Sequence, residues 1–193
     1  MLERARGLGL LGPGPVDAHL TNAAGFAAAC VPAPSRALDL GSGGGVPGLI
    51  LALLWPMSTW VLLDAARKPC DFLQGALEEL GLTARVRVWE ERAESAGRHG
   101  YLRATFDLVT ARSFAPPAPT AECAAPFLRL GGVLLVSEPP AAASRWAGVG
   151  ALGLTDRGLS VSEAAHIRRL EQATLCPERF ARRVGIPGKR PLW

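Results

Sequence analysis

Asp39-Leu40-Gly41-Ser42-Gly43-Gly44-Gly45-Val46-Pro47-Gly48 follows the short apolar run Ala37-Leu38 and precedes a longer one over residues 49–55. That order predicts a strand, a glycine turn and a helix beginning near Val46. Glycines let the backbone turn sharply and come close to a ligand, because no Cβ intrudes. The helix points its free N–H groups at whatever sits in the turn. Pro47 fits the first helical turn, where its missing N–H costs nothing. An open parallel sheet binds ligands where such turns leave the carboxyl ends of its strands.

The turn is not a phosphate loop, because the helix opens Val-Pro-Gly with no Gly-Lys-Ser/Thr. It is not a clean dinucleotide fingerprint either. Read from Gly41, the third glycine of G-x-G-x-x-G falls on Val46, which disfavours a nicotinamide-dependent dehydrogenase. Asp39 would repel a pyrophosphate, whereas a carboxylate suits a cationic ligand with an amino group. S-adenosylmethionine, with its ammonium and sulfonium, is such a ligand. A bulkier residue at Gly43 would block its approach to the backbone. The second half of this signal is Asp64, which ends the apolar, strand-like run over residues 59–63. In a βαβ unit the acid ending the second strand reaches the ribose diol. A cap for the helix that follows is the other role open to it.

The 193 residues, 49% of them hydrophobic, suffice for one domain with a full core. Within it we expect an N-terminal arm and helix over 1–35, a Rossmann-like core over 36–176 and a basic tail over 177–193. Cys30, Cys70, Cys123 and Cys176 are far apart, with no C-x-x-C. They suggest neither a zinc site nor a disulfide framework, and read as reduced, buried thiols in a cytosolic protein. No signal peptide or membrane span is expected, since the apolar runs are too short. Residues 1–14 read as a loose arm. A helix runs from about 15 to 30 and carries His19, read as a packing residue.

Further along, a helix is expected over 67–80 with Gly81 at its C-cap, and a strand over 84–89. Arg92-Ala93-Glu94 follows, where a backbone N–H can read an adenine edge while a side chain steadies the loop; solvated surface charge is the other reading of Glu94. The strand over 106–112 carries Arg112 at its carboxyl end, beside the cofactor cleft. A proline-rich loop over 113–119, a helix over 120–130, a buried strand over 133–136, a helix over 141–146 and a hairpin over 159–164 and 166–171 complete the expected order. In residues 177–193, Arg179, Arg182, Arg183, Lys189 and Arg190 face only Glu178, so this segment holds the whole formal net charge of +4. Such a basic segment beside a cleft suits RNA.

Five stretches together resemble the bacterial small-subunit (16S) ribosomal RNA methyltransferase G family, also called glucose-inhibited division protein B. They are Asp39–Leu49, Leu63-Asp64-Ala65-Ala66-Arg67-Lys68, Arg92-Ala93-Glu94, Thr110-Ala111-Arg112-Ser113-Phe114-Ala115-Pro116 and the Arg182-Arg183-Val184-Gly185-Ile186-Pro187-Gly188-Lys189-Arg190-Pro191-Leu192 ending. The resemblance covers about residues 37–193. It implies a Rossmann-like class I α/β methyltransferase, with a seven-stranded, mostly parallel sheet whose last strand is antiparallel. It implies S-adenosylmethionine bound around Gly41, Val46, Ala93, Glu94 and Arg112, and methylation of guanine N7 at position 527 of 16S RNA. Guanine N7 is an exposed lone pair with no proton to remove, so no dedicated base is expected and Arg112 is the positioning candidate. The candidate RNA contacts are Arg182, Arg183, Lys189 and Arg190. The family often has a lysine after strand five, where Ser137-Glu138 here places an acid near the expected RNA path. A monomeric, cytoplasmic enzyme without metal, acting on a ribosomal particle, is the expectation. The alternatives are a diverged methyltransferase fold that only binds RNA or a ribosomal partner, or a methyltransferase with a different RNA substrate.

Overall fold

Period-two alternation builds the sheet. Strand β1 (Arg36–Leu40) turns Leu38 and Leu40 to one face and Ala37 to the other. Strand β2 (Thr59–Asp64) does the same with Leu63 against Trp60 and Leu62. Strand β3 is Val86–Glu90, β4 is Phe106–Ala111, β5 is Leu128–Glu138, β6 is Leu154–Val161 and β7 is His166–Gln172. The computed structural model describes residues 1–139, 145–162 and 165–193. Its seven-stranded sheet has the order β3-β2-β1-β4-β5-β7-β6. Strands β1 to β5 are parallel and β7 runs antiparallel to both β5 and β6. This is the expected fold class, and the β6–β7 hairpin is the expected one, begun five residues earlier.

Helices cover both faces. On one, α2 (Val16–Ala28), α3 (Gly48–Leu54) and α4 (Arg67–Glu79) bury Phe26, Leu49, Leu51, Phe72, Leu73 and Leu77. On the other, α5 (Ala93–Ala96) and α6 (Pro117–Ala124) bury Ala93, Ala96, Ala121 and Ala124 beside Phe106 and Phe127. Each fully buried Leu or Phe contributes about 1.5–3 kcal/mol relative to exposure. The chain crosses from β3 at one edge back to β4 beside β1, so the order reverses between β1 and β4. Leu40 pairs with Ala111 there. The loops leaving these two strands therefore open a crevice, and they hold Gly41 and Arg112.

Three expectations are corrected. Residues 1–14 are not a loose arm: α1 (Leu2–Gly7) buries Ala5, and Arg4 lies over the Phe72 ring with a 2.7 Å ion pair to Glu79. The helix expected over 120–130 begins at Pro117, because prolines are tolerated in a first turn. It ends at Ala124 because Pro126 has no N–H to continue the ladder, and a single 3-10 turn leads into β5. The register between β4 and β5 then slips between Phe106 and Leu108, so the Gly131-Gly132 pair is a bulge inside a strand and not the helix end. The helix near Val46 begins two residues later, after a turn closed by Gly45 N–H donating to the Ser42 carbonyl at 2.7 Å. The helix expected over 141–146 falls largely outside the described residues. Among those described, no helix is long and apolar enough to cross a membrane.

Candidate active site and RNA face

The glycine loop is tied to the end of β2. Gly41 and Ser42 donate their N–H groups to the Leu63 carbonyl at 2.8 and 3.1 Å. Asp64 accepts the Gly43 N–H on Oδ2 and the Ala66 N–H on Oδ1, each at 2.9 Å. The carboxylate thus holds the loop and caps the approach to α4, and each oxygen keeps a free lone-pair direction toward the crevice. Gly41 has φ +72°, and a Cβ there would come within 2.7 Å of the Phe114 ring. Only glycine allows both this turn and this approach.

Asp39, expected at the cofactor, lies beneath the loop: its residue is 1% exposed and lines none of the three cavities that meet at Ser113. Oδ1 accepts the Thr110 hydroxyl at 2.6 Å. A Cβ on Gly48 would sit 2.6 Å from Oδ2, so the carboxylate abuts the start of α3. Burial pushes its pKa up to about 6, against the Thr110 hydroxyl bond and the nearby Ser42 and Gly48 donors, which lower it. Asp39 supports the loop from below.

Three cavities meet at Arg112-Ser113-Phe114. One, about 260 Å³, is lined by Gly41, Asp64, Glu91, Ala93, Glu94 and Phe114. A second, about 230 Å³, is lined by Leu10, Leu11, Gly43, Val46 and Arg112. The third and largest of these, about 560 Å³, is lined by His19, Asn22, Arg112, Phe114, Ser137 and Arg145 among others. Ser113 borders all three and holds φ +53°, an uncommon conformation for a residue with a Cβ. The first two cavities suit a long, jointed, cationic ligand. Asp64 and Glu91 supply acceptors, glycine backbone supplies close approach, and Ala93 opens a helix whose first N–H groups lack intrahelical acceptors. Glu91 and the 10–12 segment were missed in the sequence, while Ser113 and Phe114 were read only as part of a loop and of a family-like motif. Glu91 follows the end of β3 as Asp64 ends β2, so the same strand-end rule would have found it.

Arg112 donates from Nη2 to His19 Nδ1 at 2.5 Å. His19 is 3% exposed, and its Nε2 lies 3.3 Å from the Gly12 carbonyl. Burial, then the Arg112 cation, lowers the His19 pKa. Burial also lowers that of Arg112, while Asp39 opposes the shift. His19 is therefore a contact of the site and not merely a packing residue.

The C-terminal segment is docked on the protein. Arg103 donates to the carbonyls of Cys176, Pro177 and Phe180 at 2.8–3.1 Å. Glu94 Oε1 accepts the Gly185 N–H at 2.9 Å. Burial raises the Glu94 pKa, but the Gly185 N–H and Arg92 outweigh it and hold the carboxyl below its ordinary value. Arg182, expected as an RNA contact, is engaged within the protein. Its guanidinium binds the fully buried Glu122 through Nε at 2.8 Å and Nη2 at 2.5 Å. Arg183, Lys189 and Arg190 are exposed. Among the described residues, neither of the two cavities that Arg112 borders is lined by residues 177–193. Gly188, Pro191 and Trp193 line a separate cavity of about 290 Å³ behind residues 115–119, and Arg145 borders both. Glu138 is no bare acid on an RNA path. It is buried, accepting from Trp146 Nε1 at 2.9 Å and Arg168 Nε at 3.0 Å.

The sequence profile of the rRNA small subunit methyltransferase G family matches residues 15–143. A ribosomal RNA small subunit methyltransferase G of Thermotoga sp. (strain RQ2) is 38% identical over 164 residues, covering 80% of this chain and 71% of that protein. One of Chloroflexus aggregans is 37% identical over 174 residues, covering 83% and 71%. A predicted O-methyltransferase from Agrobacterium tumefaciens, of known structure, superposes with a TM-score of 0.57 at 19% identity over 80% of this chain and 79% of its own. That likeness concerns the fold.

Proposed function

Because the chain belongs to the rRNA small subunit methyltransferase G family, an S-adenosylmethionine-dependent family, we propose that it methylates N7 of guanine 527 in 16S ribosomal RNA. The observation carrying this reading is the meeting of three cavities at Arg112-Ser113-Phe114, two floored by the glycine loop and one wide and polar. The proposed enzyme is monomeric and cytoplasmic and works on a ribosomal particle.

S-adenosylmethionine supplies a methyl group on a positively charged sulfur. Asp64 would accept the ribose hydroxyls, the Ala93 N–H and Glu91 would face the adenine end, and Gly41 and Gly43 would let the backbone approach the ligand. Val46 and Arg112 would bound the amino-acid end. The wide cavity would admit the target base, with N7 aimed at the shared wall by Ser113 and Phe114. N7 attacks through a lone pair and releases no proton, so alignment is the main task of these side chains. Arg183, Lys189 and Arg190 would contact phosphates beyond the cavity mouth.

Mass spectrometry of 16S RNA from cells with and without the gene tests this. Loss of the 7-methylguanine signal near position 527 is the expected result, and an equal signal in both refutes the substrate. Binding of RNA without turnover or S-adenosylmethionine affinity would leave a diverged, binding-only protein as the better account.

A further inference from the structure

We infer that His19 is a positioning residue for the methyl transfer: its neutral imidazole holds the Arg112 guanidinium at the junction of the three cavities. The inference rests on the reading of Arg112 given above. Helix α2 brings His19 to the end of β4, 93 residues away in sequence. Arg112 has only donors, so Nδ1 must accept and carries no proton. The remaining nitrogen, Nε2, then holds the proton and faces the Gly12 carbonyl, a free acceptor at 3.3 Å. Both partners thus select one tautomer, and the imidazole joins Arg112 to the 10–12 segment that lies over Gly43 and Gly44.

The position of the guanidinium matters because Arg112 borders both the glycine-loop cavity and the wide cavity. No acidic side chain pairs with it among the described residues, and Asp39 acts on it only from beneath the loop. His19 is the side chain recorded in hydrogen-bond contact with it. A protonated imidazole could not accept from Arg112 and would repel it. The charged groups around the pair, besides Arg112 just after β4, are Arg6 on α1, Asp39 on β1, Glu138 on β5 and Arg145 at the cavity rim. Burial and the cations keep the imidazole neutral at pH 7, and Glu138 is already engaged by Trp146 and Arg168.

The test compares His19→Phe, His19→Asn, Arg112→Gln and the unmodified full chain. His19→Phe keeps a flat ring but no acceptor, and kcat/KM for ribosomal particles should fall about tenfold or more, the loss typical of one charge-assisted hydrogen bond. His19→Asn places Oδ1 close to where Nδ1 stood and should recover most of that loss. Nitrogen NMR of the imidazole should show the Nε2–H tautomer and a pKa below the ordinary value, rising toward it in Arg112→Gln. The NMR arm needs no activity. A folded His19→Phe protein with unchanged kcat/KM, while Arg112→Gln is impaired, overturns the inference alone. Full activity in Arg112→Gln removes the reading of Arg112 and the inference with it. A His19 pKa unmoved by Arg112→Gln also overturns it, as does an equal loss in His19→Phe and His19→Asn.

Discussion

Arg182→Ala strands the Glu122 carboxylate, which is fully buried and receives two guanidinium hydrogen bonds and the Arg182 backbone N–H at 3.0 Å. Only the backbone bond survives the substitution. Removing one partner of a buried ion pair costs about 3–5 kcal/mol, and the 27% exposure of Arg182 favours the lower end, about 3 kcal/mol. With a urea slope of about 2 kcal/mol/M, the midpoint should drop by about 1.5 M. Tryptophan fluorescence follows the transition. The double variant Arg182→Met with Glu122→Gln leaves no unpaired buried charge and should regain most of the loss. If Arg182 instead served RNA, the single variant would unfold at the unmodified midpoint and bind RNA more weakly. A midpoint shift below about 0.3 M, against the slope used here, refutes the structural account.

Asp64→Ala should weaken S-adenosylmethionine binding by about tenfold or more, since it removes the anchor of the Gly43 N–H and the two oxygens proposed to accept the ribose hydroxyls. Unchanged affinity by calorimetry removes Asp64 from the site. Asp39, whose folded pKa of about 6 lies above its unfolded 3.8, takes up a proton on folding in that interval. Its contribution to stability is therefore full below the unfolded pKa and falls as pH rises toward 6, by about 3 kcal/mol across the window. Asp39→Asn should cancel this slope, so the stability difference between variant and parent should grow in the variant's favour from pH 4 to 6.5; a constant difference contradicts the assignment. Replacing Arg183, Lys189 and Arg190 by Ala should reduce the salt slope of RNA binding by about 2–3, with cofactor affinity unaltered, if each meets a phosphate. A slope that does not move places the RNA elsewhere.

Sequence reasoning reached the β1–loop–β2 unit because glycines, an apolar alternation and a strand-end acid lie within a short local stretch. It reached the β6–β7 hairpin more coarsely. It misplaced the end of α6, where Pro126 should have been read as a stop, and took Gly131-Gly132 for a helix terminus when it is a bulge. The pairs that reassign side chains are distant in the chain. Glu122 and Arg182 are 60 residues apart, and His19 and Arg112 are 93 apart. No periodicity reports such pairs, so Arg182 looked like surface charge and His19 like filler. Asp39 is a different case. Its position in the motif was legible, but whether its carboxylate points up to a ligand or down to Thr110 depends on how α3 leaves the turn.

Glu94 belongs to two places at once. It borders the cavity beside Ala93, and its Oε1 holds the Gly185 N–H of the basic segment. On the reading proposed above, the methyl-donor cavity and the RNA-facing segment therefore share one residue. Any free energy by which an occupant of that cavity tightens or loosens the Glu94–Gly185 bond must return, equal in size and sign, as a change in donor affinity when RNA grips the segment. Reciprocity of this kind favours no order of arrival: whichever partner binds first would change the affinity for the second by the same factor.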